Sequence, residues 1–306
     1  MQRQYKNHLS DYTSWDQHSH AEQWLLFKDN IGEHLGIDET SLSNGELYTL
    51  VTNKSAKGQK GTIVAIIKGT KSEDVISVLN KIQETKRNVV QEVTLDMAAN
   101  MNLIIKRCFP KATRVIDRFH VQRLVLEAVQ SIRIKYRWMA IEEDNIALAN
   151  AKKTGEEYSP KIFSNGDTVR QLLARSRHLL FKPESKWTSS QLKRAKILFN
   201  QFPEIEQAYR LAQSLSYIYE NNYDKRVAIV KLAKWYNQVE DSGFKEFNIA
   251  SKSIQLHYQG IVNFFDNRST NASAESFNAK LKDFRREFKG VRDVRFFLFR
   301  LTQIFA

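Results

Sequence analysis

From residue 34 onward the chain breaks into short apolar runs divided by turn residues. His34–Leu42, Glu46–Asn53 and Thr62–Lys68 are rich in β-branched side chains and are separated by Ser43-Asn44-Gly45 and Lys57-Gly58-Gln59, which predicts a three-stranded antiparallel meander. Val75, Val78, Leu79 and Ile82 then recur at helical spacing, and Ser72 is the expected N-cap with Glu73 and Asp74 in the first turn. Val89–Met97 reads as a buried strand. Met101, Ile104, Ile105 and Cys108 predict a second helix that stops before Pro110, and Thr113–Phe119 predicts a further strand. The first 33 residues are polar and aromatic without strong period and read as a lead-in segment with a helix around Ala21–Lys28.

The resulting order, β-β-β-α-β-α-β, implies parallel pairing of the later strands by right-handed crossovers. Its first strand is expected at the centre, with the fourth and fifth beside it. That is an α/β fold with an RNase H-like mixed sheet. Between Val121 and Asn263 the strand signals cease and long helical patterns take over, over Ile132–Ile146, Thr168–Leu180, Gln191–Phe199, Pro203–Tyr219 and Val227–Val239. So long a stretch is no loop, and a large all-α insertion is expected. The predicted plan is a lead-in over 1–33, a core over 34–120, the insertion over 121–263, and the core's last two helices within 264–306.

Charge narrows the partners. Of 306 residues, 47 are Lys or Arg against 34 Asp or Glu, a formal net charge of +13. Basic side chains gain free energy by releasing counterions condensed on nucleic acid, so a polyanion is the favoured partner over a merely basic surface. The single cysteine, Cys108, excludes an internal disulfide and a multi-cysteine zinc site. With no secretory h-region and no apolar run near the ~18 residues of a span, the expectation is a cytoplasmic protein with no membrane role.

Three carboxylates stand where this topology would gather them. Asp38 lies in the first strand and Asp96 ends the fourth, on adjacent parallel strands at the edge where open α/β sheets bind ligands. Glu275 lies on the helix after the insertion. At 100° per residue, Asn271, Asn278 and Lys282 fall within about 60° of it, while Phe277, Leu281 and Phe284 cluster opposite. One face can dock on the sheet and the other carries polar groups. Phosphodiester cleavage needs an activated oxygen and a stabilised leaving group, which two hard cations on carboxylate oxygens supply. Taken singly, a strand-end Asp caps a helix or solvates a rim.

At these residues the chain resembles a known family. Gly36-Ile37-Asp38-Glu39, Thr94-Leu95-Asp96-Met97, Val115-Ile116-Asp117-Arg118-Phe119-His120-Val121 and Glu275-Ser276-Phe277-Asn278-Ala279-Lys280-Leu281-Lys282 look like the DDE transposases of bacterial insertion sequences, closest to the ISL-three-like group. The resemblance runs from about residue 30 to the end. It implies that Asp38, Asp96 and Glu275 form a catalytic triad holding two Mg²⁺ or Mn²⁺ ions, and that the protein cuts and joins double-stranded DNA at element ends and target. It also implies a homodimer on DNA, associated with the bacterial nucleoid. Family members commonly carry an N-terminal zinc-binding and helix-turn-helix region. Here the chain begins almost at the core, so end recognition is expected from a separate helix-turn-helix polypeptide, or this copy is truncated. Ser276 and Ala279 stand where relatives often have Gly and Asn.

Other residues divide between roles. Asp117 either orients a metal-bound water or pairs with a basic neighbour such as Arg118, and His120 either touches phosphate or is a satisfied structural histidine. Lys280, Lys282, Arg285, Arg286, Lys289, Arg292 and Arg295 form a basic tract, a solvated face in the usual case, but beside an acidic site a phosphate-binding one, with Lys282 and Arg286 on the face of Glu275. Arg175, Arg177, His178, Lys182, Lys186 and Trp187 form a second basic and aromatic patch, either a DNA grip with base stacking or, for Trp187, core packing. Two rival functions stay open: a metal-dependent nuclease or resolvase that cuts without joining, and an inactive DNA-binding descendant.

Overall fold

In a computed structural model of the chain, residues 4–43, 45–287 and 291–306 are described. Asn44 of the first turn and Lys289 of the basic tract lie outside them. Six strands form one sheet: β1 Trp24–Leu26, β2 His34–Ser43, β3 Glu46–Asn53, β4 Ile63–Lys68, β5 Glu92–Leu95 and β6 Thr113–Ile116. Their order is β1-β4-β3-β2-β5-β6. β2, β3 and β4 pair antiparallel as the turn chemistry predicts, and β5 and β6 follow β2 in parallel.

The helices are α1 Ser72–Leu79, α2 Glu84–Arg87, α3 Ala99–Cys108, α4 Arg118–Thr154, α5 Val169–Arg175, α6 Ser189–Gln201, α7 Pro203–Asn221, α8 Lys225–Ser242, α9 Lys245–Leu256, α10 Tyr258–Asn267, α11 Ala272–Glu287 and α12 Val294–Phe305. They belong to two compact units, residues 1–118 with 259–306, and residues 119–258.

In the first unit the sheet buries both faces. Val75, Val78, Leu79 and Ile82 are buried as the stripe requires, as are Met101, Ile104, Ile105 and Cys108 of α3. The other face carries α11 and α12: Phe277 and Leu281 join Leu50, Ile63, Ile66, Phe297, Leu298 and Leu301 in one core cluster. Each such side chain contributes roughly 1.5–3 kcal/mol by leaving water, which presses α11 onto the sheet. Burial pushes the Cys108 thiol up to about 11, and the nearby Arg87 offsets this only in part. Cys108 is a packing residue.

Several boundaries differ from the sequence expectation. Ala21–Lys28 is not a helix; Trp24–Leu26 adds a sixth strand, because Leu25 pairs with Ile66 and is fully buried. The segment before it packs on the last helix, with the Tyr12 ring edge-on to Phe296 and Phe299. Ser72 does not cap α1; Lys71 occupies the N-cap position, and the Ser72 hydroxyl donates to the Asn100 carbonyl at 3.4 Å. The strand expected over Val89–Met97 shrinks to Glu92–Leu95, since α2 precedes it and Asp96 turns the chain into α3. The strand expected over Thr113–Phe119 stops at Ile116, and α4 starts at Arg118.

The second unit is helical apart from an isolated Ile162–Thr168 bridge. The Trp235 indole donates to the Leu211 carbonyl at 2.9 Å, and buried Arg133 donates to Gln130 and to the Leu173 carbonyl. Asp167, fully buried, accepts from Arg194 at 2.8 Å and from Arg175. Burial pushes its pKa up, but the hydrogen bonds from Arg194 and Arg175 outweigh this and hold it below the usual carboxylate range. A depressed carboxylate stabilises the fold above its unfolded pKa near 4 and loses that contribution as pH falls through the lower folded value. Asp167→Asn is therefore expected to cost about 3 kcal/mol at neutral pH, the low end for a broken buried pair because Arg175 can turn to solvent. The loss should fade in acid, which thermal melts across pH 7 to 3 would measure.

Candidate active site

Strand register brings the first two carboxylates together. Gly36 of β2 is paired with Thr94 of β5 in parallel, and Asp38 and Asp96 each lie two residues further along. Side chains alternate along a strand, so Asp38 falls on the same face of the sheet as Gly36, while Asp96, the first residue past the end of β5, lies close to the part of β2 that carries Asp38. Asp117 continues the row. Leu95 pairs with Ile116, and the Asp117 N–H donates to the Leu95 carbonyl at 2.9 Å.

Local hydrogen bonds aim these groups. Asp38 Oδ1 accepts the Glu39 N–H at 2.9 Å, and its Oδ2 accepts the Asn278 amide at 2.7 Å. Asp96 Oδ1 accepts the Ala98 N–H at 2.7 Å, the local turn by which a short acidic side chain ends a strand. Glu39, next along β2, accepts from Asn100 of the first turn of α3 at 3.4 Å.

The third carboxylate rides on α11. Helix α11 meets the sheet at Gly36, where a side-chain methyl would come within 2.4 Å of Asn271 Oδ1 and 3.5 Å of Ala274 Cβ. Asn271 precedes the helix; its N–H donates to Asp117 Oδ1 at 3.4 Å, placing a buried carboxylate at the positive end of the helix. Glu275 sits one turn after Asn271 and one turn before Asn278, and is exposed. The two asparagines thus fix the position of its backbone between Gly36 and Asp38. Among the described residues no group of three or more His, Cys, Asp or Glu side chains could hold a metal ion. The donor set at this edge is nevertheless all oxygen, which suits a hard divalent cation.

A second polar group lies on the same face and has no sequence signature. Lys54, at the end of β3, donates to Thr94 at 2.8 Å, to Glu92 at 3.4 Å and to Ser269, and Asn267 donates to Glu92 at 3.4 Å. Burial pushes the Lys54 ammonium below the usual lysine range, while Glu92 and Asp117 pull it back up. A lone Lys at a strand end and a lone Glu within one read in sequence as solvated positions. Only the fold joins them.

With this geometry in view, comparison with known proteins decides the family. The family model DDE_Tnp_ISL3, described as a transposase, matches residues 35–301. The chain belongs to this transposase family. It is also similar to the transposase for insertion sequence element IS1001 of Bordetella parapertussis, at 22% identity over 275 residues, 89% of this chain and 61% of that protein. The chain therefore spans less than two thirds of that relative. No solved structure matches it.

The basic residues of the chain divide by what already holds them. Lys282 and Arg286 are exposed on α11, Arg286 beside Asp283. Arg285 is half-buried. Lys280 donates to the Gly58 carbonyl at 2.9 Å, and Arg295 pairs with Glu22 at 2.9 Å. Arg118 lies over the Phe264 ring. In the second unit Arg175 is held by Asp167, while Arg177 is exposed. Trp187 donates to the Leu179 carbonyl at 2.8 Å and packs with Phe199 and Tyr209, the core-packing alternative. His120 falls in the second unit, on the first turn of α4. Among the described residues no helix is long and apolar enough to cross a membrane.

Proposed function

We propose that this chain is the catalytic part of a DDE-type transposase, with an RNase H-like core interrupted by the helical unit 119–258, that cleaves double-stranded DNA at the ends of an insertion sequence and joins them to a target. The family match supports the transposase reading. The observation that supports the site assignment is the parallel pairing of β2 with β5, whose continuations carry Asp38 and Asp96, together with the bond from Asn278, one turn from Glu275, to Asp38. Asp38, Asp96 and Glu275 would hold the divalent ions, Mg²⁺ or Mn²⁺, which supply Lewis acidity at the scissile phosphate when bound.

The remaining work falls to the chain's own residues. The Glu39 N–H and Asn278 hold both oxygens of Asp38, and the Ala98 N–H holds one of Asp96, so neither carboxylate must reorganise on binding. Lys282 and Arg286 face solvent on α11, suited to backbone phosphate contacts that position DNA without reading its sequence. A separate helix-turn-helix polypeptide for end recognition and a homodimer on DNA belong to the same proposal.

The test is incubation of purified protein with end-labelled DNA carrying the element's termini and a target, with Mn²⁺. Cleaved and joined products support transposition. Cleavage without joining moves the protein to the nucleases or resolvases, and binding without cleavage to an inactive descendant. Asn278→Ala is expected to lower the cleavage rate by roughly ten- to a hundredfold, because it frees a carboxylate that Asn278 orients. A rate equal to wild type would remove Asn278 from the site.

A further inference from the structure

The buried group around Lys54 lies beneath the loop that leads into α11. Lys54 and Glu92 leave only 14% and 4% of their side chains accessible, and Thr94 is fully buried, so this is no solvated surface pair. A lysine taken this far out of water persists only where its N–H groups are satisfied. Here Thr94, Glu92 and Ser269 supply the acceptors, and Ser269 is 215 residues away in sequence. Asn267 and Ser269 bracket Arg268, whose φ of 52° is in the left-handed region that a side chain disfavours. The loop keeps that conformation while tied on both sides to one strand: Asn267 to Glu92, and Ser269 to Thr94 at 3.4 Å. Two residues later the Asn271 N–H meets Asp117, and four residues after that comes Glu275, whose N–H closes the first helical turn on the Asn271 carbonyl at 2.9 Å.

We infer that Lys54, with Glu92, Thr94 and Ser269, is a positioning group for Glu275: it clamps the 267–271 loop to the floor of the sheet and so sets where α11 presents its carboxylate relative to Asp38 and Asp96. This rests on the proposed metal-binding role of those three residues. Phe277 and Leu281 press α11 onto the sheet, but apolar packing tolerates sliding along the helix axis. The hydrogen bonds to Ser269 and Asn271 are directional and fix the register of its first turn. The clamp touches neither DNA nor metal, so none of its members is a catalytic residue.

The test uses substitutions that remove the clamp without changing charge, since deleting the Lys54 ammonium would itself draw cations to the site. Ser269→Ala and the isosteric Thr94→Val are expected to weaken Mn²⁺ binding by the full-length protein, measured by electron paramagnetic resonance of free Mn²⁺ without DNA, by roughly ten- to a hundredfold. The melting temperature of Ser269→Ala should fall only modestly, because Thr94 and Glu92 still accept from Lys54 and Ser269 itself is half-buried. In a Glu275→Gln background Ser269→Ala should have no further effect, since the clamp acts through Glu275. Equal Mn²⁺ affinity in wild type and Ser269→Ala, or an undiminished effect in the Glu275→Gln background, overturns the clamp and leaves the metal site standing. Absence of Mn²⁺ binding by the wild-type protein overturns the metal site and the clamp together.

Discussion

Asp38→Asn, Asp96→Asn and Glu275→Gln are each expected to lower DNA cleavage by on the order of a thousandfold, while affinity for the same DNA in Ca²⁺ or without metal stays within a few-fold of wild type. The split follows from where the groups sit. Asp38 lies in β2, Asp96 just past the end of the neighbouring β5 and Glu275 on α11, and the proposed role of all three is to hold charge that stabilises a transition state. None is needed to attract DNA, and losing a carboxylate near a polyanion slightly favours binding. The amide variants keep shape and most hydrogen bonds, so folding should survive. In Asp38→Asn the amide oxygen can still accept the Glu39 N–H, and the new NH2 can donate to the Asn278 amide oxygen once that side chain flips. End-labelled cleavage beside fluorescence-anisotropy binding measures both quantities. Cleavage within tenfold of wild type in all three variants would remove the triad.

Gly36→Ala is the second change with a large expected effect, and it touches no proposed ligand. The added methyl would come within 2.4 Å of Asn271 Oδ1 and 3.0 Å of Thr52 Oγ1. Asn271 is buried and Thr52 donates to the Gly36 carbonyl at 3.3 Å, so neither side chain can swing clear into solvent. The strand or the start of α11 must move. Overpacking of this kind costs roughly 1–3 kcal/mol, which a thermal or urea melt would register. Because α11 carries Glu275, cleavage should fall further than stability accounts for, measured at a temperature where the variant remains folded. A variant with lowered melting temperature but wild-type cleavage rate would show that the approach of α11 to β2 is structural only.

Much of the core was legible because its signals are local. The meander from His34 to Lys68 announced itself through β-branched runs and glycine turns, and α1 and α3 through apolar spacing that the structure buries. The two faces of α11 followed from periodicity alone, with Phe277 and Leu281 inward and Lys282 outward. The misreadings share a cause. Trp24–Leu26 is too short for any period, and becomes a strand only because β4 offers an edge 40 residues later. Ser72 has good capping chemistry, but its hydroxyl donates to the Asn100 carbonyl in the first turn of α3 instead. Thr113–Phe119 was read as one strand because nothing local marks the turn at Asp117, whose side chain is claimed by Asn271, 154 residues on. The Lys54 group was invisible for the same reason: each member is ordinary in its own neighbourhood, and only long-range pairing makes it unusual. At the site, the parallel pairing of the strands that lead to Asp38 and Asp96 could be argued from topology. The asparagines that hold α11 to it could be placed on a helix face, but their partners could not be named.

The most direct measurement is anomalous diffraction from crystals of the protein soaked or grown with Mn²⁺, and DNA where crystals allow. The proposal predicts manganese peaks bounded by the carboxylates of Asp38 and Asp96, with Glu275 turned in from α11 to complete the ligand set. Manganese bound elsewhere, or Asp38 and Asp96 holding no ion in crystals whose protein cleaves DNA with Mn²⁺ in solution, would contradict it.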